Sequence, residues 1–123
     1  MKRTDLYKEA GVDLDAANEL VDRIRPFVKS TFHASVITDV GGFGSLYSLG
    51  HLDYKQPVLV SSTDGIGTKL KVAFLASKHN TVGIDLVAMS VNDILVQGTR
   101  PLFFLDYLSI GCMNLDLVTD IIS

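Results

Sequence analysis

The chain has little cysteine and little proline, no long apolar run and no excess of basic charge. Its one cysteine, Cys112, excludes an internal disulfide and fits a reducing cytoplasm. Cys112 ends an apolar stretch, which points to a buried, inert thiol and not to a nucleophile. No apolar run approaches the length of a membrane span. Met1-Lys2-Arg3-Thr4-Asp5 leads into no apolar h-region, so no signal peptide is expected. Eleven basic residues against fourteen acidic ones give a net charge of −3, which leaves no nucleic-acid footprint. Neither His33 nor His51 has a metal-ligand spacing around it, and both read as surface residues.

What is present suits a globular chain. It has 123 residues, 47% hydrophobic and 20% charged, a length that fits one domain over 1–123. A chain of this size can bury roughly two-thirds of its unfolded surface. Residues 1–12 are polar and read as irregular. Asp13 caps a helix to about Ser30, with Ala17, Leu20, Val21, Ile24, Phe27 and Val28 at helical spacing. Pro26 inside that pattern should kink the helix or end it early.

The informative stretch is Ser61-Ser62-Thr63-Asp64-Gly65-Ile66-Gly67-Thr68-Lys69-Leu70-Lys71. An apolar run, 57–60, precedes it and reads as a buried strand. A helix over about 68–78 follows, with Asn80 as its left-handed cap. Glycine lets the backbone turn tightly and approach a ligand, and a helix start offers unpaired N–H groups and a positive dipole end. Together these can hold phosphate. Lys69 adds a full charge, and Asp64 can hold a magnesium ion bridging phosphate oxygens. Equally, a Gly-x-Gly between strand and helix can be only a turn. The P-loop pattern does not fit, and Leu70 stands where the dinucleotide fingerprint needs a third glycine.

Residues 82–97 read as a helix that is apolar on most sides and therefore buried. It nevertheless carries Asp85, Asn92 and Asp93, with no lysine or arginine within the segment. A buried carboxylate must be paired, hydrogen-bonded or bound to a cation. That favours metal or ligand duty for Asp93; for Asp85, ligand duty and a structural pairing stand level. Residues 102–110 read as a strand apolar on both faces. Asp106 interrupts it, and a structural acid is favoured over a cation ligand. Gly41-Gly42-Phe43-Gly44 fits either a flap over a ligand or a bend between two strands, and the residues favour the bend. Asn114 caps a last helix whose apolar pattern is still running at Ser123, which reads as a cut and not a natural end.

Three runs carry a resemblance: 62–71, then Gly83-Ile84-Asp85-Leu86-Val87-Ala88-Met89-Ser90-Val91-Asn92-Asp93, then Pro101-Leu102-Phe103-Phe104-Leu105-Asp106-Tyr107. With Tyr7-Lys8-Glu9-Ala10-Gly11-Val12-Asp13 and the 41–44 glycines, they resemble the phosphoribosylformylglycinamidine cyclo-ligase family, also called aminoimidazole ribonucleotide synthetases. The likeness runs along essentially the whole chain, in order. It implies a purine-biosynthesis ligase that closes the imidazole ring of formylglycinamidine ribonucleotide with ATP and magnesium. In such enzymes the formamide oxygen is phosphorylated, the amidine nitrogen attacks the activated carbon, and phosphate leaves.

Carried over by motif, Asp64 and Asp93 would bind magnesium. Gly65, Gly67, Thr68 and Lys69 would line the ATP phosphates, with Lys69 and Asp64 the catalytic pair. Asp85, Asn92 and Asp106 would support that shell, and Gly42 and Gly44 would belong to a loop closing over nucleotide. The resemblance also implies an α/β (α+β) N-terminal domain of an ATP-binding superfamily. Its mixed or antiparallel sheet, packed with helices, would dimerise through the sheet, giving a cytoplasmic homodimer. On this likeness the chain stops short of the usual end of that domain. The likeness implies that a C-terminal domain, with part of the substrate site, is missing from this sequence. Two other readings stay open: a non-catalytic dimerisation module, and another ATP-dependent member of the superfamily.

Overall fold

The computed structural model describes residues 3–123. Five helices occur among them: α1 Arg3–Glu9, α2 Leu14–Ser30, α3 Lys69–Ala76, α4 Val82–Leu95 and α5 Leu115–Ile122. The chain divides into two compact units. One takes Met1–Gln56 with Ile110–Ser123, the other Pro57–Ser109.

In the first unit, α1 replaces the irregular segment expected over 1–12. Gly11 stops it: the Gly11 N–H bonds to the Lys8 carbonyl and the Val12 N–H to that of Tyr7, at 3.0 and 2.8 Å. This is the glycine-closed helix end in which two successive N–H groups satisfy terminal carbonyls. Gly11 has φ +88°, and a Cβ there would lie 2.6 Å from the Gly111 carbonyl oxygen, so conformation and space both require glycine. Asp13 caps α2 as its position predicts, its Oδ1 accepting from the N–H groups of Asp15 and Ala16, both at 3.1 Å. Pro26 does not end α2, which continues to Ser30. Packing of its apolar stripe against α5 outweighs the one hydrogen bond that proline removes. Asn114 caps α5 through the Leu117 N–H, and Val118 on α5 is fully buried.

In the second unit, α3 packs against α4. Its left-handed end is Ser77, at φ 50°, and not Asn80. Ser77 and Lys78 return their N–H groups to the carbonyls of Phe74 and Ala73, so the helix is closed before Asn80 is reached. α4 occupies the expected segment but is not buried all round. Val82 and Ser90 are buried, whereas Ile84, Val87 and Leu95 are exposed. Apolar side chains on every face of a helix report what eventually covers it, and this chain alone covers one face.

The expected strands, 57–60 and 102–110, do not form among the described residues. The only pairing there is an isolated antiparallel bridge between Val36 and Tyr47, flanked by the Ile37 N–H on Leu46 and the Ser48 N–H on Ser35. The 41–44 glycines thus lie in a bend between two briefly paired segments. A strand needs a neighbour for its N–H and C=O groups. Local sequence made 57–60 and 102–110 strand-like but supplies no such neighbour. The buried core is correspondingly smaller than a chain of this length allows: Ala73, Val82 and Val118 are its apolar members among the described residues. Cys112 is exposed, contrary to the buried thiol expected, because the segment before it is not sandwiched in a sheet.

Candidate nucleotide phosphate site

The site residues of the second unit lie on the loop before α3 and on α4. Gly67, at φ +66°, turns the chain into α3 through the left-handed region that glycine adopts without strain. Thr68 stands at the start of α3 but makes no side-chain cap bond there. The loop is already partly self-satisfied. The Gly65 N–H donates to Oδ1 of Asp64 at 2.7 Å, and the Leu70 and Lys71 N–H groups return to the carbonyls of Gly67 and Thr68.

Two contacts fasten this loop to α4. At one end the Ser62 hydroxyl donates to Oδ2 of Asp93 at 3.0 Å. At the other, the Lys69 ammonium pairs with Oδ1 of Asp85 at 2.9 Å. Asp85 and Asp93 are eight residues apart, about 12 Å along the helix axis. The glycine-containing segment therefore spans about two turns of α4, held at each end by an α4 carboxylate. Contrary to the buried carboxylates expected, Asp93 is exposed and Asp85 only partly buried because α4 is covered on one face, and both take partners from the loop. Lys69 is half-exposed and Asp85 one-third exposed, so the pair is a solvated contact of modest energy. Its consequence is placement of the lysine and not stability.

Asp64, Asn92 and Asp93 are exposed. Asp106 stands apart from these contacts. It is exposed as a residue, yet partial desolvation of its carboxyl pushes it above the ordinary carboxylate value, opposed by the Tyr107 N–H. Gly42 and Gly44 belong to the first unit, in an exposed loop whose Phe43 is fully exposed.

The donors suit a hard cation. Carboxylate and hydroxyl oxygens are at hand and no histidine or cysteine is grouped with them, as magnesium prefers. Among the described residues, no group of three or more His, Cys, Asp or Glu forms a self-sufficient metal site. Magnesium in phosphoryl-transfer sites ordinarily takes one or two carboxylates and completes its shell with water and phosphate, and Asp64 and Asp93 are carboxylates of the kind it would take. Ser62 was not singled out by sequence reasoning. A serine beside a glycine turn carries no mark of a partner 31 residues away, and only the packing of loop on helix reveals it.

The family model described as AIR synthase related protein, N-terminal domain, matches residues 49–123. Among curated proteins, the chain is similar to the phosphoribosylformylglycinamidine cyclo-ligase of Trichlorobacter lovleyi, 62% identical over 117 residues, 95% of this chain and 34% of the relative. The enzyme of the same name from Desulfatibacillum aliphaticivorans is 62% identical over 122 residues, 99% of this chain and 35% of the relative. That of Geobacter sulfurreducens is 63% identical over 113 residues, 92% and 32% respectively. The chain thus spans about a third of the length of the curated relatives it matches.

Proposed function

Because the chain belongs to the AIR synthase related protein, N-terminal domain family, we propose that it is the nucleotide-binding part of a phosphoribosylformylglycinamidine cyclo-ligase. The reaction is ring closure of formylglycinamidine ribonucleotide to aminoimidazole ribonucleotide in purine biosynthesis, with ATP consumed and ADP and phosphate released. The observation that carries this reading is the double fastening of the glycine loop to α4, through Ser62 with Asp93 and Lys69 with Asp85.

Each residue has a task that follows from its chemistry. Asp64 and Asp93 would hold magnesium, whose charge offsets that of the phosphates. Gly65 and Gly67 keep side chains out of the way of a close-lying phosphate. Thr68 presents a hydroxyl and the positive end of α3. Lys69 stabilises charge on the phosphoryl group being transferred. Asp85 holds the Lys69 ammonium in one place, and Asn92 lies one residue from Asp93 on the same helix.

The same reading includes a cytoplasmic homodimer, its two copies joined through segments 57–60 and 102–110 in a shared sheet. It is supported by the exposure of Val58, Leu59, Leu105 and Tyr107. No helix among the described residues is long and apolar enough to cross a membrane.

Calorimetric titration with a non-hydrolysable ATP analogue, with and without magnesium, tests the proposal beside Asp93→Asn. Magnesium should tighten binding, and Asp93→Asn should remove at least about tenfold of that gain. A folded chain that binds no nucleotide in either condition favours the dimerisation-module reading instead. The same titration on a chain extended to the relatives' length then separates a module from an incomplete site.

A further inference from the structure

The hydroxyl of Ser62 has one proton to give, and it gives it to Oδ2 of Asp93 at 3.0 Å. Asp93 is exposed on α4, and the outer torsion of an aspartate is broad and poorly self-restrained. One hydrogen bond to one oxygen restrains that torsion. It leaves Oδ1, and the second lone pair of Oδ2, for another partner. Ser62 is also two residues before Asp64. The contact therefore ties the loop that carries one candidate magnesium ligand to the helix that carries the other.

Resting on the reading of Asp64 and Asp93 as magnesium ligands, we infer that Ser62 is a positioning residue. Its hydroxyl orients the Asp93 carboxylate toward the cation that accompanies the nucleotide phosphates. Ligating carboxylates are held by such hydrogen bonds, and their loss ordinarily weakens metal affinity by about 10- to 100-fold. The Ser62 site is only half-buried, where water can replace the lost hydroxyl in part, so the lower end of that range applies.

The test compares Ser62→Ala, Ser62→Thr and Asp93→Asn with the unsubstituted chain. Magnesium is titrated calorimetrically against a fixed concentration of a non-hydrolysable ATP analogue, and analogue affinity is also measured without magnesium. Ser62→Ala should raise the magnesium concentration for half-saturation about tenfold and leave the magnesium-free affinity unchanged. Ser62→Thr, which keeps the hydroxyl, should restore the original value within about twofold. A Ser62→Ala chain that loses affinity equally with and without magnesium shows that Ser62 merely fastens the loop, and overturns the inference. So does a Ser62→Ala chain that matches the original while Asp93→Asn loses its magnesium dependence. If Asp93→Asn also keeps full magnesium dependence, the assignment of Asp93 as a ligand fails, and the role of Ser62 fails with it.

Discussion

Asp13 shows how one side chain can join local and longer-range demands. Its carboxylate caps α2 and also receives the Lys8 ammonium at 3.3 Å from the end of α1. The Ala16 N–H, then Lys8, hold Asp13 below its ordinary value of 3.8. A carboxyl whose folded value is depressed stabilises the fold above its unfolded value, and that contribution is lost as pH falls through the folded one. Asp39, lowered by Lys29 and the Val40 N–H, acts in the same sense, while the raised carboxyl of Asp106 acts in the opposite sense. Unfolding measured by urea at a series of pH values should therefore show stability falling below about pH 4. Asp13→Asn keeps a capping oxygen and loses the charge, so its curve should be flatter in that window; an unchanged slope would remove Asp13 from the account. Caps such as Asp13 and Asn114 are legible in sequence because the acceptor and its N–H partners lie within three residues. The pairing of Ser62 with Asp93 has no such local signature.

At the scale of elements, the α2–α5 pair holds the first unit together. Arg23 reaches Glu19 on its own helix and Asp116 on α5, both at 2.7 Å, but exposed ion pairs of this kind contribute little. The weight rests on Val118, which is 1% exposed. Val118→Ala should lower stability by about 2 kcal/mol, from two lost methyl groups and the space they leave. Arg23→Ala should cost well under 1 kcal/mol. Equal effects of the two in urea unfolding would contradict this ranking. Helical periodicity identified α2, α4 and α5, since spacing along one helix is a local property. The end of α3 was misplaced to Asn80 because closure depends on which residue turns left-handed first, and Ser77 does. The passage of α2 through Pro26 was likewise decided by packing and not by propensity.

At the scale of the whole molecule, Val58, Leu105 and Tyr107 are each more than 60% exposed. The proposed shared sheet would cover these side chains. Sedimentation equilibrium should show self-association that strengthens with concentration. Leu105→Lys should weaken it by about tenfold or more, as expected for an apolar anchor at an interface centre. A chain that sediments as a monomer across the micromolar range would leave the shared-sheet reading without support.

The amino-acid sequence by itself determined α2, α4 and α5, the Asp13 and Asn114 caps, the glycine turn before α3, and the family resemblance, because each is written in residues close together along the chain. It also marked Asp85 and Asp93 as acids in need of partners. Tertiary structure alone decided who those partners are, Lys69 and Ser62 from the loop, and which apolar segments stay uncovered. The reason is physical: a hydrogen bond or a buried face is a relation between positions brought together by folding, and no spacing rule connects residue 62 with residue 93.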